Sequence, residues 1–337
     1  MKIRKWVVWT FFLSLLLSCG GDGGLTPDPS GGGTPDPKPW DANRGKVVTP
    51  SGTGWTSTTV DEGVIYYTFS GTDTISGKQE EIFVVDLDLS KPQYQVKLLY
   101  TAPRVVVSEA FKRDAGTVAA MNANYEVTSI YLRTDGTTRY QISNTLIAGT
   151  SVPNWKSEAA FVSDGERNLG IFLAGSPDRI ERAAISQLRN YYSSIADSFP
   201  YLISSAPMLI DDYEPVGESF CDYSLTDLQV NALNGEDPNR HQRVQHPRSA
   251  VALTENNHFI LMVVDGRTNS SAGMSARELT RFLATYFNPQ YALNMDGGGS
   301  STLCVKGAGD PDTQVVNHPS DGQERPREVH FVILKKS

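Results

Sequence analysis

Ala292-Leu293-Asn294-Met295-Asp296-Gly297-Gly298-Gly299-Ser300-Ser301-Thr302 decides how this chain is read. A short apolar run ends on an acid, and three glycines and three hydroxyls follow without a break. Three consecutive glycines weaken either a helix or a strand, so they mark a place where bare backbone comes close to something else. The pattern predicts a strand over residues 292–295 that delivers Asp296 to the mouth of a loop whose N–H groups face a ligand. A tight turn is the plainer alternative, although a turn rarely needs three glycines.

Working outward, residues 249–253 and 259–264 read as strands joined by a turn at Glu255-Asn256-Asn257. Ser275 with Glu278 three residues later is a capping box that opens a helix. Leu279, Phe282, Leu283 and Tyr286 then recur on one helical face, and Pro289 stops the run. Residues 302–306 and 329–334 are the last strands. Upstream, residues 64–69, 82–87 and 94–100 are β-branched and aromatic runs, and residues 108–113 form a short helix capped by Ser108. Residues 117–121 make a strand that runs into Asn122-Ala123-Asn124-Tyr125-Glu126. Residues 159–162 and 169–173 pair around Asp164-Gly165, and residues 179–199 carry a helical rhythm. Residues 201–210 form a strand interrupted at Ala206-Pro207, and residues 211–245 read as a long polar surface loop. Many strands, few helices and no regular alternation predict an α+β fold. Its sheet is mixed, mainly antiparallel, with a few packed helices in a single large domain.

The 337 residues carry a net charge of −8 and no Lys/Arg run beyond the N-terminus, which argues against nucleic acid as a partner. Lys2, Arg4 and Lys5 precede an apolar run over residues 6–17, too short for a spanning helix, and Ser18-Cys19-Gly20 follows. The run reads as an export signal. A small residue before Cys19 is similar to the bacterial lipoprotein signal, in which Cys19 is lipidated; an ordinary cleaved signal is the alternative. Residues 1–19 are therefore expected as signal and residues 20–59 as a disordered Gly/Pro-rich tether, with the folded domain over 60–337. The expected location is an exported bacterial lipoprotein, membrane-anchored on the periplasmic or cell-surface side. Cys221 and Cys304 either pair as one disulfide or stand as two small buried thiols.

Several chemistries drop out. No Lys follows the glycine loop, so it is not a nucleotide P-loop, and it lacks the last glycine of a nucleophile elbow. The five histidines show no pairing at metal-ligand spacing, so no metal and no cofactor are expected. Carboxylates, Asn and loop carbonyls are of a type that binds Ca²⁺ or Mg²⁺, but no ligand spacing points there. What remains is a set of strand ends: Asn122, Asn124 and Glu126; Arg248; Asp265; Asn294 and Asp296; and the loop over 297–302. Arg248 follows Pro247, so its planar fork is a candidate for rigid bidentate phosphate binding, against a structural ion pair. Asp296 and Asp265 supply a carboxylate pair of the kind glycoside hydrolysis uses. Taken singly, each Asp or Asn also reads as a turn residue capping its own backbone.

Pro247-Arg248-Ser249-Ala250-Val251, Val263-Val264-Asp265-Gly266-Arg267, Gly273-Met274-Ser275, Glu278-Leu279 and the stretch 292–302 resemble the phosphodiester glycosidase family. Asn317-His318-Pro319 with Glu324-Arg325 resembles its last motif, and the resemblance runs from about residue 64 to the C-terminus. One departure is local: the family usually shows Asn-Gly-Gly followed by aromatics where this chain has Asn122 to Glu126, and the added side chains reshape the pocket. The resemblance implies an exported, alpha-N-acetylglucosaminidase-like hydrolase that converts a sugar-1-phosphodiester to free sugar and a phosphomonoester. On that footing Asp296 is the nucleophile or base, Asp265 its partner, and Arg248 with the loop amides the phosphate clamp, with Glu126 counted in the catalytic set. Asn122, Asn124, Asn294, Gly297, Gly298, Gly299, Ser300, Ser301, Thr302 and Arg325 hold the substrate. The same residues also suit a surface lipoprotein that binds phosphorylated glycan without turnover, or a transfer role in exopolysaccharide assembly. Oligomeric state is open.

Overall fold

The computed structural model describes residues 38–174, 183–218 and 221–336. The expected export signal, Cys19 and the tether up to residue 37 lie outside the described residues. The strands in chain order begin with β1 (Trp55–Asp61), β2 (Val64–Thr72), β3 (Gln79–Asp88), β4 (Tyr94–Val105), β5 (Thr117–Asn122) and β6 (Tyr131–Thr134). Next come β7 (Thr137–Gln141), β8 (Ala159–Ser163), β9 (Leu169–Leu173), β10 (Tyr201–Ser205), β11 (Met208–Asp211) and β12 (Glu214–Pro215). The last five are β13 (Arg248–Leu253), β14 (His258–Val264), β15 (Tyr291–Asn294), β16 (Leu303–Val305) and β17 (Arg327–Lys335). The helices are α1 (Val107–Phe111), α2 (Ile185–Ile195), α3 (Asp227–Ala232), α4 (Pro238–Arg243) and α5 (Ala276–Tyr286). No helix among the described residues is long and apolar enough to cross a membrane.

These strands build three sheets, ordered β1-β2-β3-β14-β13-β15-β11-β12, β7-β6-β10-β8-β9 and β16-β5-β17-β4. Every pairing among the described residues is antiparallel, which fits the expected α+β class but replaces the expected mixed sheet with three antiparallel ones. The sheets share one core. Phe161 of β8, Phe259 of β14 and Phe331 of β17, one ring from each sheet, meet with centroids 5.0–6.2 Å apart. Such ring stacks bury large apolar area and prefer these offset and edge contacts.

The large sheet is covered on both faces, which explains why β3 and β14 read as unbroken apolar runs. Along β14, Phe259, Leu261 and Val263 face the shared core, while Ile260, Met262 and Val264 pack under α5 against Leu279, Phe282 and Leu283. The capping box of α5 is present as predicted: Glu278 N–H donates to Ser275 Oγ (3.2 Å) and Ser275 N–H to Glu278 Oε2 (2.7 Å). The helix α2, through Leu188 and Tyr192, and Ala196 just after it cover the five-stranded sheet.

The structure corrects several boundaries. The domain starts before residue 60, because β1 pairs with β2 and Trp55 packs against Phe69, Phe282 and Tyr286. Asn288 Nδ2 also donates to the carbonyls of Asn43 (2.7 Å) and Lys46 (2.8 Å), so residues 38–59 belong to the fold and not to the tether. Ser108 lies inside α1 and does not cap it; Val106 is the cap, and Ser108 N–H and Oγ bind the Glu324 carboxylate. Pro207 divides the expected strand into β10 and β11, which belong to different sheets. The expected surface loop over 211–245 contains α3 and α4, capped by Thr226 and Asp237. Cys221 and Cys304 are free thiols.

Candidate active site

Antiparallel order brings distant strand ends to one place. Arg248 at the start of β13 is opposite Val264 at the end of β14, and Ala250 is opposite Asn294 at the end of β15. From the four-stranded sheet, Asn122 ends β5 and Arg327 begins β17. Asn122, fully buried, ties them together: its Nδ2 donates to Asp296 O (2.6 Å), and its Oδ1 accepts from Ser249 Oγ (2.9 Å) and Thr302 N–H (3.0 Å).

Each glycine of the loop is required for its own reason. A Cβ on Gly297 would lie 2.7 Å from Pro247 O, and one on Gly299 only 2.2 Å from the Asp321 carboxylate. Gly298 has a φ of +61°, in the left-handed region that side chains disfavour. Most loop amides are used: Gly298 donates to Pro247 O, Ser300 to Gly297 O and Ser301 to Gly298 O. The N–H groups of Gly297 and Gly299 find no acceptor among the described residues, and such donors form an anion-binding concavity.

Asp296 stands beside this loop with a cation against it. Arg327 Nε donates to Asp296 Oδ2 (2.8 Å), and its Nη2 donates to Ser300 Oγ (2.5 Å). Arg325 Nη1 reaches the same hydroxyl at 3.5 Å while its Nε binds Asp321 (3.0 Å). Arg267 places its guanidinium about 3.4 Å from where a Gly298 Cβ would be, and donates to His246 Nδ1 (3.0 Å). That bond needs a neutral imidazole, and burial together with Arg248 and Arg267 pushes His246 down to about 3.

A sequence model of phosphodiester glycosidases matches residues 115–334, which include the loop and all of these strand ends. The chain belongs to the phosphodiester glycosidase family. Its fold is similar to the catalytic domain of zebrafish N-acetylglucosamine-1-phosphodiester alpha-N-acetylglucosaminidase, a structure auto-inhibited by its pro-peptide. The TM-score is 0.53 at 19% identity, over 87% of each chain. A Burkholderia pseudomallei protein is similar at TM-score 0.50 and 13% identity, over 86% of this chain and 98% of that one. A Bacillus subtilis SPbeta prophage-derived uncharacterized protein, YomE, is 33% identical over 85 residues, 24% of this chain and 12% of its own length. The chain thus spans about one eighth of that relative.

Within this family framework, the structure sorts the residues named from sequence. Asp265 is buried and makes no hydrogen bond to Asp296 among the described residues. Its Oδ1 accepts from Asn317 Nδ2 (2.8 Å) and its Oδ2 from His318 N–H (2.8 Å), and burial pushes its carboxyl up to about 6. The two acids share no hydrogen-bond partner among the described residues; Asn317 links them only through its second bond, to Ser301 O (3.0 Å). Arg248 is braced on one side, with Nη1 the guanidinium nitrogen that has no partner among the described residues. Its Nε donates to Met274 O (2.7 Å) and one Nη to His241 O (2.7 Å) and Val244 O (3.0 Å), and burial lowers it to about 10. It thereby anchors the C-terminal end of α4.

Glu126, counted in the catalytic set from the resemblance, is exposed and pairs with Arg104 (3.3 Å). Asn124 is a buried support, donating to Glu328 (2.9 Å) and accepting from Val329 N–H (2.9 Å). Asn294 donates to Tyr125 Oη (2.8 Å) and Ala206 O (3.1 Å), holding β15 to its neighbours. The hydroxyls of Ser301 and Thr302 are buried without a partner among the described residues, and Ser300 is the one of the three bonded to the arginines. Gly297, Gly299 and Arg325 keep their predicted neighbourhood. Arg327, Arg267 and His246 were missed as site residues, since a lone Arg or His near a strand end carries no periodic signal. The structure also gathers Glu81, Asp265 and His318, three metal-ligand types spread over more than two hundred residues of sequence.

Proposed function

We propose that this member of the phosphodiester glycosidase family is a hydrolase that cleaves the bond between a sugar's anomeric carbon and a phosphate esterified to a second group. The observation that carries the reading is Asp296, held 2.8 Å from Arg327 beside a loop with two unpaired amides and a cluster of arginines. A phosphomonoester is a good leaving group, so general-acid help matters less than in an ordinary glycosidase. The barrier then lies in stabilising oxocarbenium character and in holding the phosphate. Asp296 supplies the negative charge for the first task. The amides of Gly297 and Gly299 with Arg327, Arg325 and Arg267 supply donors for the second. Arg327 pairs with Asp296 at rest, so an arriving phosphate takes part of that guanidinium and leaves the acid free to act on the sugar.

One observation favours a second reading. Of the two acids that the sequence paired, only Asp296 is bonded to an arginine beside the loop, and a single acid suits a protein that captures phosphorylated glycan without turning it over. Incubating the purified chain with a sugar-1-phosphoalkyl compound separates the readings. Free sugar appearing in water supports hydrolysis; saturable binding with no release supports capture; release that requires an added sugar acceptor supports transfer. For localisation, we take Cys19 as lipidated and the protein as exported and membrane-anchored. Labelled fatty acid should enter the full chain and be absent from Cys19→Ala, and equal labelling of both would end that assignment.

A further inference from the structure

The geometry points to a divalent transition-metal site formed by Glu81, Asp265 and His318. Glu81 lies on β3, Asp265 directly follows β14, and His318 follows Asn317 in the segment between β16 and β17. One donor atom from each lies within 4.8 Å of the others. His318 Nδ1 is 3.4 Å from Glu81 Oε2 and 3.3 Å from Asp265 Oδ2. Ligands sharing one ion at bonds of about 2.0–2.2 Å sit roughly 3.0–3.5 Å apart, so the set needs little rearrangement to close on a cation.

Three further features make this a built set and not a chance cluster. Glu81 Oε2 is shielded from solvent and accepts no hydrogen bond within normal distance, its one facing group being His318 Nδ1 at 3.4 Å, so it has room to accept a cation. Asp265 is oriented before any ion arrives: its main-chain N–H donates to Glu81 O (2.9 Å), and Asn317 holds its Oδ1 at 2.8 Å. That outer bond is the kind that fixes a ligating carboxylate. The His318 ring is largely exposed, so an ion reaches the set from solvent.

Two carboxylates and one imidazole select Mn²⁺ or Zn²⁺ over the all-oxygen preference of Ca²⁺ and Mg²⁺. The ion would hold the 317–321 segment to the large sheet. That segment matters to the loop: Asn317 binds Ser301 O and Leu303 N–H, and the Asp321 carboxylate abuts Gly299.

The test uses the full chain stripped with EDTA. MnCl₂ is titrated while the spectrum of free Mn²⁺ is followed by electron paramagnetic resonance; ZnCl₂ and CaCl₂ are titrated by calorimetry. We expect one Mn²⁺ or Zn²⁺ per chain, with affinity falling at least about tenfold in both His318→Ala and Glu81→Gln. Melting temperatures of the ion-free variants establish that each is folded, and His318, being exposed, is the safer of the two. Absence of saturable binding overturns the proposal. Affinity unchanged in both variants, or Ca²⁺ binding as tightly and ignoring His318→Ala, overturns it equally. Binding is read without turnover, so the result stands apart from whether the chain hydrolyses phosphodiesters.

Discussion

Asp296 and Asp265 each follow a strand of the same sheet, yet they are built into opposite surroundings. Asp296 comes two residues after β15 and faces the guanidinium of Arg327 at 2.8 Å, beside main-chain N–H groups with no partner. Asp265 comes directly after β14 and faces an Asn amide, a main-chain N–H and an imidazole, in burial that raises its carboxyl to about 6. A guanidinium offers a carboxylate a full opposite charge, whereas neutral donors in a buried site orient an acid without cancelling its burial cost. The lesson is that two acids following strands of one sheet, with β13 between them, are held by different kinds of partner: Asp296 by Arg327 beside the loop, and Asp265 by Asn317 and the His318 main chain.

The largest effect should come from Asp296→Asn, which should lower release of free sugar by about 10³-fold with the melting temperature nearly unchanged. If Asp265→Asn shows that loss and Asp296→Asn turns over normally, the division of labour is reversed. Arg327→Met should cost about 10²-fold in kcat/KM, roughly 2.7 kcal/mol, because it strips both Asp296 and Ser300 of their donor. An unchanged kcat/KM would mean that Arg327 only packs.

The arginine-rich side also makes a pH prediction. His246 sits at about 3 when folded against an ordinary 6.5, so above pH 6.5 it is neutral in both states and contributes nothing. As pH falls below 6.5 the unfolded chain takes up a proton that the folded chain refuses, and stability is lost. Urea unfolding of wild type and His246→Gln at pH 7 and pH 4.5 should therefore diverge, the wild type losing roughly 1–2 kcal/mol more. Parallel losses would place His246 outside the electrostatics of this wall. The smallest effect is expected from Glu126→Gln: an exposed ion pair is worth under about 1 kcal/mol, and sugar release should stay near normal. A large loss of turnover there would return Glu126 to the catalytic set.

Much of the scaffold could be read without coordinates. The helix α5 has both halves of its capping box and a clean apolar face, and the strands of the large sheet are long β-branched runs, so periodicity and caps located them. The start of the domain was hidden because β1 is an edge strand whose side chains are mostly exposed; Trp-Thr-Ser-Thr-Thr-Val-Asp has no buried rhythm to detect. Helices α3 and α4 are six residues each, too short to show a 3.6-residue period, so their polar sequence read as loop. Arg248 was assigned to phosphate from its place after a proline, but burial compels a guanidinium to find acceptors, and three main-chain carbonyls supply them.

By itself the sequence determined that residues 292–302 form a strand end, an acid and a glycine loop, because local backbone chemistry leaves three glycines few other uses. It also determined the antiparallel, helix-poor class, since alternation and turn residues act over a few positions. Only the tertiary structure decided which charges share that loop. Arg327, Arg267 and Arg325 come to the loop from the start of β17, the turn after β14 and the segment that follows β16, and Asp265 is turned toward Glu81 and His318. Charge pairing acts through space at distances of a few ångströms, and the register of three sheets sets those distances.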